Sequence, residues 1–329
     1  MDLRSLPKVE LHLHLDCSLS YKAVARLAPG VTRDEYQRDY VGPARCTNLA
    51  DFLTRAPMGF RLMQTEDALR LVVEDLFEQL AEDGVVYAEI RFAPHLHTLN
   101  GLTPERVVAI VERAVDDLSR ATGMEAGAIL CTLRHFTAEQ SMSTAQLVEQ
   151  FRSSRILALD IAGDEAGYPL DAHLAAYRFA RERGLHRTAH AGEACGPESV
   201  WETLRQLDPH RIGHGTRSYE DEALVDHLRR EKIHLELCPT SNLQIIPSIA
   251  AWEDHPIDRL YRAGVPLSVN TDTRMLTPAT LTGEYEGLQR TFGWSREDFL
   301  RVSRMALDAA FAGAAVKGKI EQRLAEARA

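Results

Sequence analysis

The stretch VELHLHLD, residues 9–16, sets His12 and His14 two positions apart and closes on Asp16. Val9, Leu11, Leu13 and Leu15 alternate with Glu10, His12, His14 and Asp16. That is the two-residue period of a β-strand, so both imidazoles point to one side about 7 Å apart along it. Neutral imidazoles on one face suit a divalent metal ion if the strand end is open, and equally suit a pair of hydrogen-bonded interior histidines. Further polar residues bear on the choice. His190 and Glu193 lie in TAHAGE, His214 in RIGHGT and Asp272 in SVNTDT, each at the end of an apolar, strand-like run. Singly each has a structural account: His190 as a strand cap, Glu193 as a cap for a helix near Pro197, Asp272 as a turn residue after Asn270. Together, His12, His14, His190 and Asp272 form a ligand set for zinc or a similar ion with a position left for water, whose pKa such an ion lowers to about 7. Glu193 then reads as a proton carrier. His214 reads as the group that orients the resulting hydroxide, takes its proton or stabilises the charge of attack.

Residues scattered this widely meet only if the ends of their elements converge. The apolar runs VELHLHLD, VVYAEIRFAP, AGAILCTLR, ILALDIAG, HRTAHAG, HRIGHG, KIHLELCP and VPLSVNTD make eight strands separated by helix-like segments. In TEDALRLVVEDLFEQLAEDG the apolar residues follow helical spacing, with Thr65 as cap and Gly84 as terminator. TPERVVAIVERAVDDL pairs an N-cap at Thr103 with Pro104 in the first turn. The pattern predicts an α/β chain folded as a (β/α)8 TIM-type barrel, with its chemistry on the loops at the C-terminal strand ends. Between the first strand and Val85 lie about seventy residues, too many for one ordinary connection, so residues about 20–84 are expected to add helices over the barrel mouth as a lid. The whole chain, 1–329, is read as a single domain with a charged helical tail over about 315–329.

Composition narrows the function classes. The net charge of -10 argues against nucleic acid or an anionic membrane as partner, and leaves a small molecule. No apolar run reaches the length of about 20 residues that a membrane span needs, and MDLRSLPKVEL lacks the core of a signal peptide, so a cytoplasmic location is expected. Five scattered cysteines without a Cys-x-x-Cys fit a reducing compartment better than a disulfide framework. His95 and His97 repeat the His-x-His spacing but follow Pro94 and are read as structural or rim residues. His135, His173, His186, His210, His227, His234 and His255 are read as surface or helix-end residues.

In this order, LPKVELHLHLD, DIAGDE, HAGE, RIGHG, LCPTSN and NTD resemble the adenosine deaminase family, from about residue 5 to 290. The resemblance implies one zinc ion per chain on His12, His14, His190 and Asp272, with Glu193 donating a proton to purine nitrogen 1 and His214 beside the attacking water. It implies a purine nucleoside substrate: Gly163 meets nitrogen 3 through its backbone and Asp16 meets the ribose hydroxyl. It also implies that Leu49, Phe52, Leu53, Met58 and Phe60 cover the ligand. Two positions depart from the pattern: Cys17 replaces a glycine, and Thr273 replaces a second aspartate, where its hydroxyl is a candidate donor to nitrogen 7. The leading expectation is hydrolytic deamination of adenosine or 2′-deoxyadenosine. Deamination of another 6-aminopurine (adenine, an N6-substituted adenosine or an aminofutalosine-type nucleoside) and a non-catalytic, zinc-stabilised binding barrel are the alternatives. Oligomeric state is left open.

Overall fold

The structure is a computed structural model and describes residues 2–327. Eight parallel strands, β1 Lys8–His14, β2 Val85–Phe92, β3 Glu125–Leu133, β4 Ile156–Ala162, β5 His186–Ala191, β6 Arg211–His214, β7 His234–Leu237 and β8 Leu267–Val269, are hydrogen-bonded in chain order. The ring closes just past β8. The His14 N–H donates to the Asp272 carbonyl at 2.7 Å, and the Asp272 N–H donates to the His12 carbonyl at 3.0 Å. This is the (β/α)8 barrel that the alternation of strand and helix patterns predicts, and its closure ties one candidate ligand directly to two others.

The helices start and stop where the chain's punctuation says they should. Helix Glu66–Glu82 begins with the Thr65 hydroxyl accepting from the Ala68 N–H, and helix Pro104–Thr122 with Thr103 accepting from Arg106; each such cap is worth about 1 kcal/mol. The second helix ends on Gly123 at φ 74°, the left-handed position that only glycine takes without strain. Their apolar stripes, among them Leu69, Val73 and Leu76 on one and Val107, Val111 and Ala114 on the other, are fully or nearly fully buried in the hydrophobic shell around the strands. Four further helices, Tyr21–Leu27, Arg33–Asp39, Leu49–Leu53 and Ala56–Phe60, precede Glu66–Glu82 between β1 and β2. Helix Ala314–Glu326 falls in the expected tail, whose last two residues lie outside the described ones. Among the described residues no helix is long and apolar enough to cross a membrane.

Inside the barrel the filling is charged. Arg91, Arg211, Glu89, Glu236 and Asp160 are each at most 1% exposed. They pair with one another: Arg91 donates to Asp160 at 2.9 Å and to Glu236 at 2.7 Å, while Arg211 donates to Glu236 at 2.7 Å and to Glu89 at 2.6 Å. Buried ions are tolerable only with such pairing.

Of the histidines expected at the surface or at helix ends, three are buried: His173 does stand at the start of helix Leu174–Glu182 and His255 at the end of the 3-10 turn Trp252–Asp254, whereas His234 begins β7 and fits neither expectation. Each has polar partners in place of water. His173 sits between the Ser141 hydroxyl and the Arg134 carbonyl, His234 lies 3.0 Å from the Ser268 hydroxyl, and His255 lies 3.2 Å from the Asn242 amide oxygen. Burial pushes the His234 and His255 imidazoles down to about 3, so both are neutral and cheap to enclose.

Candidate active site

β1, β5, β6 and the residues following β8 deliver the candidate side chains to one end of the barrel. His12 and His14 come from β1, His190 from β5, and His214 closes β6. His214 at φ 59° and Asp272 at φ 64° hold the left-handed conformation that ordinary side chains avoid, so the turns at these two strand ends are strained to aim both groups inward.

The nitrogen of His14 (Nε2) lies 3.2 Å from His190 Nε2 and 3.5 Å from Asp272 Oδ1, and His12 Nε2 lies 3.4 Å from the same oxygen. A tetrahedral ion with bonds of about 2.0–2.1 Å sets its ligand atoms about 3.3 Å apart, which is this spacing. His12 Nε2 is buried without a hydrogen-bond partner, and a lone pair left bare in the interior calls for an electrophile. The residues fit a divalent metal. Cys238 also approaches His12 and His214, but burial pushes its thiol far above the usual range and keeps it protonated.

Tautomer and charge are set from behind. Glu236 Oε2 faces His12 Nδ1 at 2.9 Å and Asp160 faces His190 Nδ1 at 3.2 Å, so each ring donates backwards and turns its Nε2 lone pair forwards. Burial holds His14, His190 and His214 below the ordinary imidazole range and therefore neutral. Burial alone would raise Asp272; contacts with His12, His214 and His14 outweigh it and keep the carboxylate ionised, and Ser241 donates to its other oxygen at 2.6 Å. Glu193 is the opposite case. Burial first, then repulsion from Asp272 and Glu165, lifts its carboxyl well above the ordinary carboxylate range. Its Oε1 stands 3.4 Å from His214 Nε2.

The remaining candidates line the space in front of these groups. Glu193, His214, Asp272, Thr273 and Gly163 share a chamber with Leu49, Phe52 and Leu53 from the inserted helix Leu49–Leu53. Thr273 Oγ1 accepts from the Thr277 N–H at 3.1 Å, which leaves its own proton free. Gly163 has φ 98°, and an added Cβ would lie 3.5 Å from the nearest atom, Arg134 N; its requirement is conformational, not one of space. Asp16 is not in the chamber but lines an adjoining cavity, as does Phe60, whereas Met58 packs against the core. Asp16 accepts from the Ala93 N–H at 2.9 Å and lies 2.6 Å from His97 Nε2. His97 is fully buried and positions Asp16, so the structural expectation for it fits and the rim expectation does not.

Several residues that hold the site were passed over in the sequence. Glu165 accepts from the N–H groups of Gly192, Glu193, Ala194 and Cys195 and from the Ser199 hydroxyl, clamping the loop that carries Glu193. Asn242 offers its amide N–H to His214 Nδ1 at 3.2 Å, while its oxygen faces the Thr216 hydroxyl and His255 Nε2. That polarity leaves the His214 proton on Nε2, facing the chamber. Glu165 and Asn242 lie inside DIAGDE and LCPTSN, so the motif boundaries did mark them; nothing local marked His255.

A family model described as adenosine deaminase matches residues 7–327. Adenosine deaminase 1 of Streptomyces coelicolor is 36% identical over 333 residues, covering 94% of this chain and 83% of that protein. Among solved structures, an adenine deaminase from Arthrobacter aurescens is 26% identical with a TM-score of 0.89, covering 98% of both chains. The arabidopsis N6-mAMP deaminase is 26% identical with a TM-score of 0.87, covering 98% of this chain and 99% of the other.

Replacing Arg91 tests the bracing of the ligands. Arg91→Met strands Asp160 and Glu236 as buried carboxylates short of a partner, and is expected to lower unfolding free energy by about 3–5 kcal/mol in denaturant titrations. Divalent-metal affinity should fall by roughly 10–100-fold as His12 and His190 lose their orientation. Unchanged stability and affinity would contradict the role assigned to Arg91.

Proposed function

Since the chain belongs to the adenosine deaminase family, we propose that it hydrolyses adenosine and 2′-deoxyadenosine to inosine and 2′-deoxyinosine with release of ammonia, using one zinc ion per chain on His12, His14, His190 and Asp272. The observation that carries this reading is Glu193: a buried carboxyl pushed well above the ordinary carboxylate range, 3.4 Å from His214 on the wall of the chamber that His14, His190 and Asp272 also line. A structural metal would need neither group.

Zinc, when bound, supplies an activated water at neutral pH. The side chains do the rest. Glu193 donates its proton to purine nitrogen 1, which makes carbon 6 electrophilic. Asp272, ionised and steadied by Ser241, accepts a proton from the attacking water. His214 presents its Nε2–H to the oxygen as charge develops there. The carbon–oxygen bond forms, the carbon 6–amine bond breaks, the amine leaves as ammonia with the proton from Asp272, and the remaining hydroxyl proton returns to Glu193. Gly163 offers its backbone to nitrogen 3, Thr273 its free hydroxyl proton to nitrogen 7, and Asp16 an oxygen lone pair to the sugar.

The likeness to an adenine deaminase and an N6-mAMP deaminase supports a second reading, another 6-aminopurine as substrate. A panel of adenine, adenosine, 2′-deoxyadenosine and N6-methylated nucleosides separates the two.

The purified zinc-loaded protein is expected to convert adenosine to inosine, followed by the fall in adenosine absorbance. Glu193→Gln should cut kcat by roughly 10²–10⁴-fold, the share of general acid catalysis, with metal content unchanged. Loss of metal in that variant would show that Glu193 had been misassigned. Thr273→Val should lower kcat/KM for adenosine by about two- to tenfold, the worth of one neutral hydrogen bond, and leave 7-deazaadenosine nearly unaffected. An equal loss on both nucleosides would rule out the nitrogen 7 contact.

A further inference from the structure

Next to the reaction chamber lies a second, roomier cavity of about 410 Å³. The two share His14, Cys17, Leu53, Ala162 and Gly163 as walls, and Asp16 belongs to the outer one alone. Beyond Asp16 the lining turns apolar: Pro57 and Phe60 from helix Ala56–Phe60, Leu96 from the turn after β2, and Leu133 at the end of β3. Tyr168, one of two large apolar side chains exposed among the described residues, stands at the rim with its ring 6.1 Å from that of His135.

The charges on this cavity decide what it will accept. Its acidic side chains are Asp16 and Asp164, and among the described residues no lysine or arginine lines it. Arg134, the residue after Leu133 at the end of β3, turns two guanidinium nitrogens to the carbonyls of Tyr168 and His190. A phosphate placed here would leave water without gaining a cation and would face two carboxylates, so a 5′-nucleotide is repelled. A bare hydroxymethyl group would leave most of the apolar wall uncovered. An uncharged apolar group would cover that wall and release its water.

We propose that this cavity is a subsite for an uncharged, apolar substituent at the 5′ position of the nucleoside, so that the substrate class extends to 5′-modified 5′-deoxyadenosines and excludes 5′-nucleotides. The inference rests on the deaminase reading above, because Asp16 can mark the sugar side of the cavity only if the purine occupies the chamber. Cys17 fits this division: its buried side chain lines both cavities and forms part of the wall between base and substituent.

The test is kcat/KM of the zinc-loaded protein on adenosine, 5′-deoxy-5′-methylthioadenosine and adenosine 5′-monophosphate. Burial of two carbon-sized apolar atoms should raise the thioether about tenfold above adenosine, and the monophosphate should fall at least about tenfold below it. Leu96→Arg, which brings a cation to the same wall, should shift the thioether-to-monophosphate ratio about tenfold toward the monophosphate. A thioether no better than adenosine, or a monophosphate used as well as the thioether, overturns the subsite while leaving the deaminase reading intact. No turnover of any 6-aminopurine overturns that reading, and the subsite with it. If the variant does not fold, the comparison of three substrates on the unaltered protein decides alone.

Discussion

The guanidinium of Arg91, buried at the centre of the barrel, bridges Asp160 and Glu236, and the candidate metal centre depends on that bridge. Two carboxylates this deep would take up protons if left alone. Burial pushes both up; the contact with His190 and then the charge of Arg91 at Asp160, and the charges of Arg91 and Arg211 at Glu236, outweigh it and hold both carboxyls below the ordinary range. As anions they accept from the rear nitrogens of His190 and His12, and only then do the front nitrogens carry lone pairs toward a common point. The barrel thus uses its least hydrophobic contents to build its most exacting feature.

The remaining groups are held by local devices added to this centre. His214 and Asp272 take left-handed backbone conformations at strand ends, where the ring of hydrogen bonds fixes the chain on both sides. Glu165 gathers four consecutive N–H groups and so fixes the loop bearing Glu193. Asn242, oriented by Thr216 and His255, sets the proton of His214 on the chamber side. An ionised Asp272 and a protonated Glu193 line one chamber because imidazoles crowd the first, whereas burial and nearby carboxylates act on the second. Opposed carboxyl pKa values of this kind are what a site needs to take one proton and give another.

Much of this was legible in the sequence. Strand periodicity and the glycine and proline punctuation sufficed for eight strands, and the polar residues at their ends sufficed for the convergence of His12, His14, His190, His214 and Asp272. The bracing was not legible. Arg91 sits in an apolar strand, 69 residues from Asp160 and 145 from Glu236, and pairing at such separations leaves no local pattern. His97 shares the spacing of His12 and His14, but Pro94–His97 forms a 3-10 turn, so its ring and that of His95 share no strand face. His255 lies in an irregular segment whose burial depends on the fold of its neighbours, and sequence periodicity says nothing about such segments.

The most direct test of the account is anomalous diffraction at the zinc absorption edge from crystals of the zinc-loaded protein. One strong peak per chain is expected, about 2.0–2.2 Å from His12 Nε2, His14 Nε2, His190 Nε2 and a carboxylate oxygen of Asp272. A peak bound through other residues, or none where these four side chains meet, would contradict it.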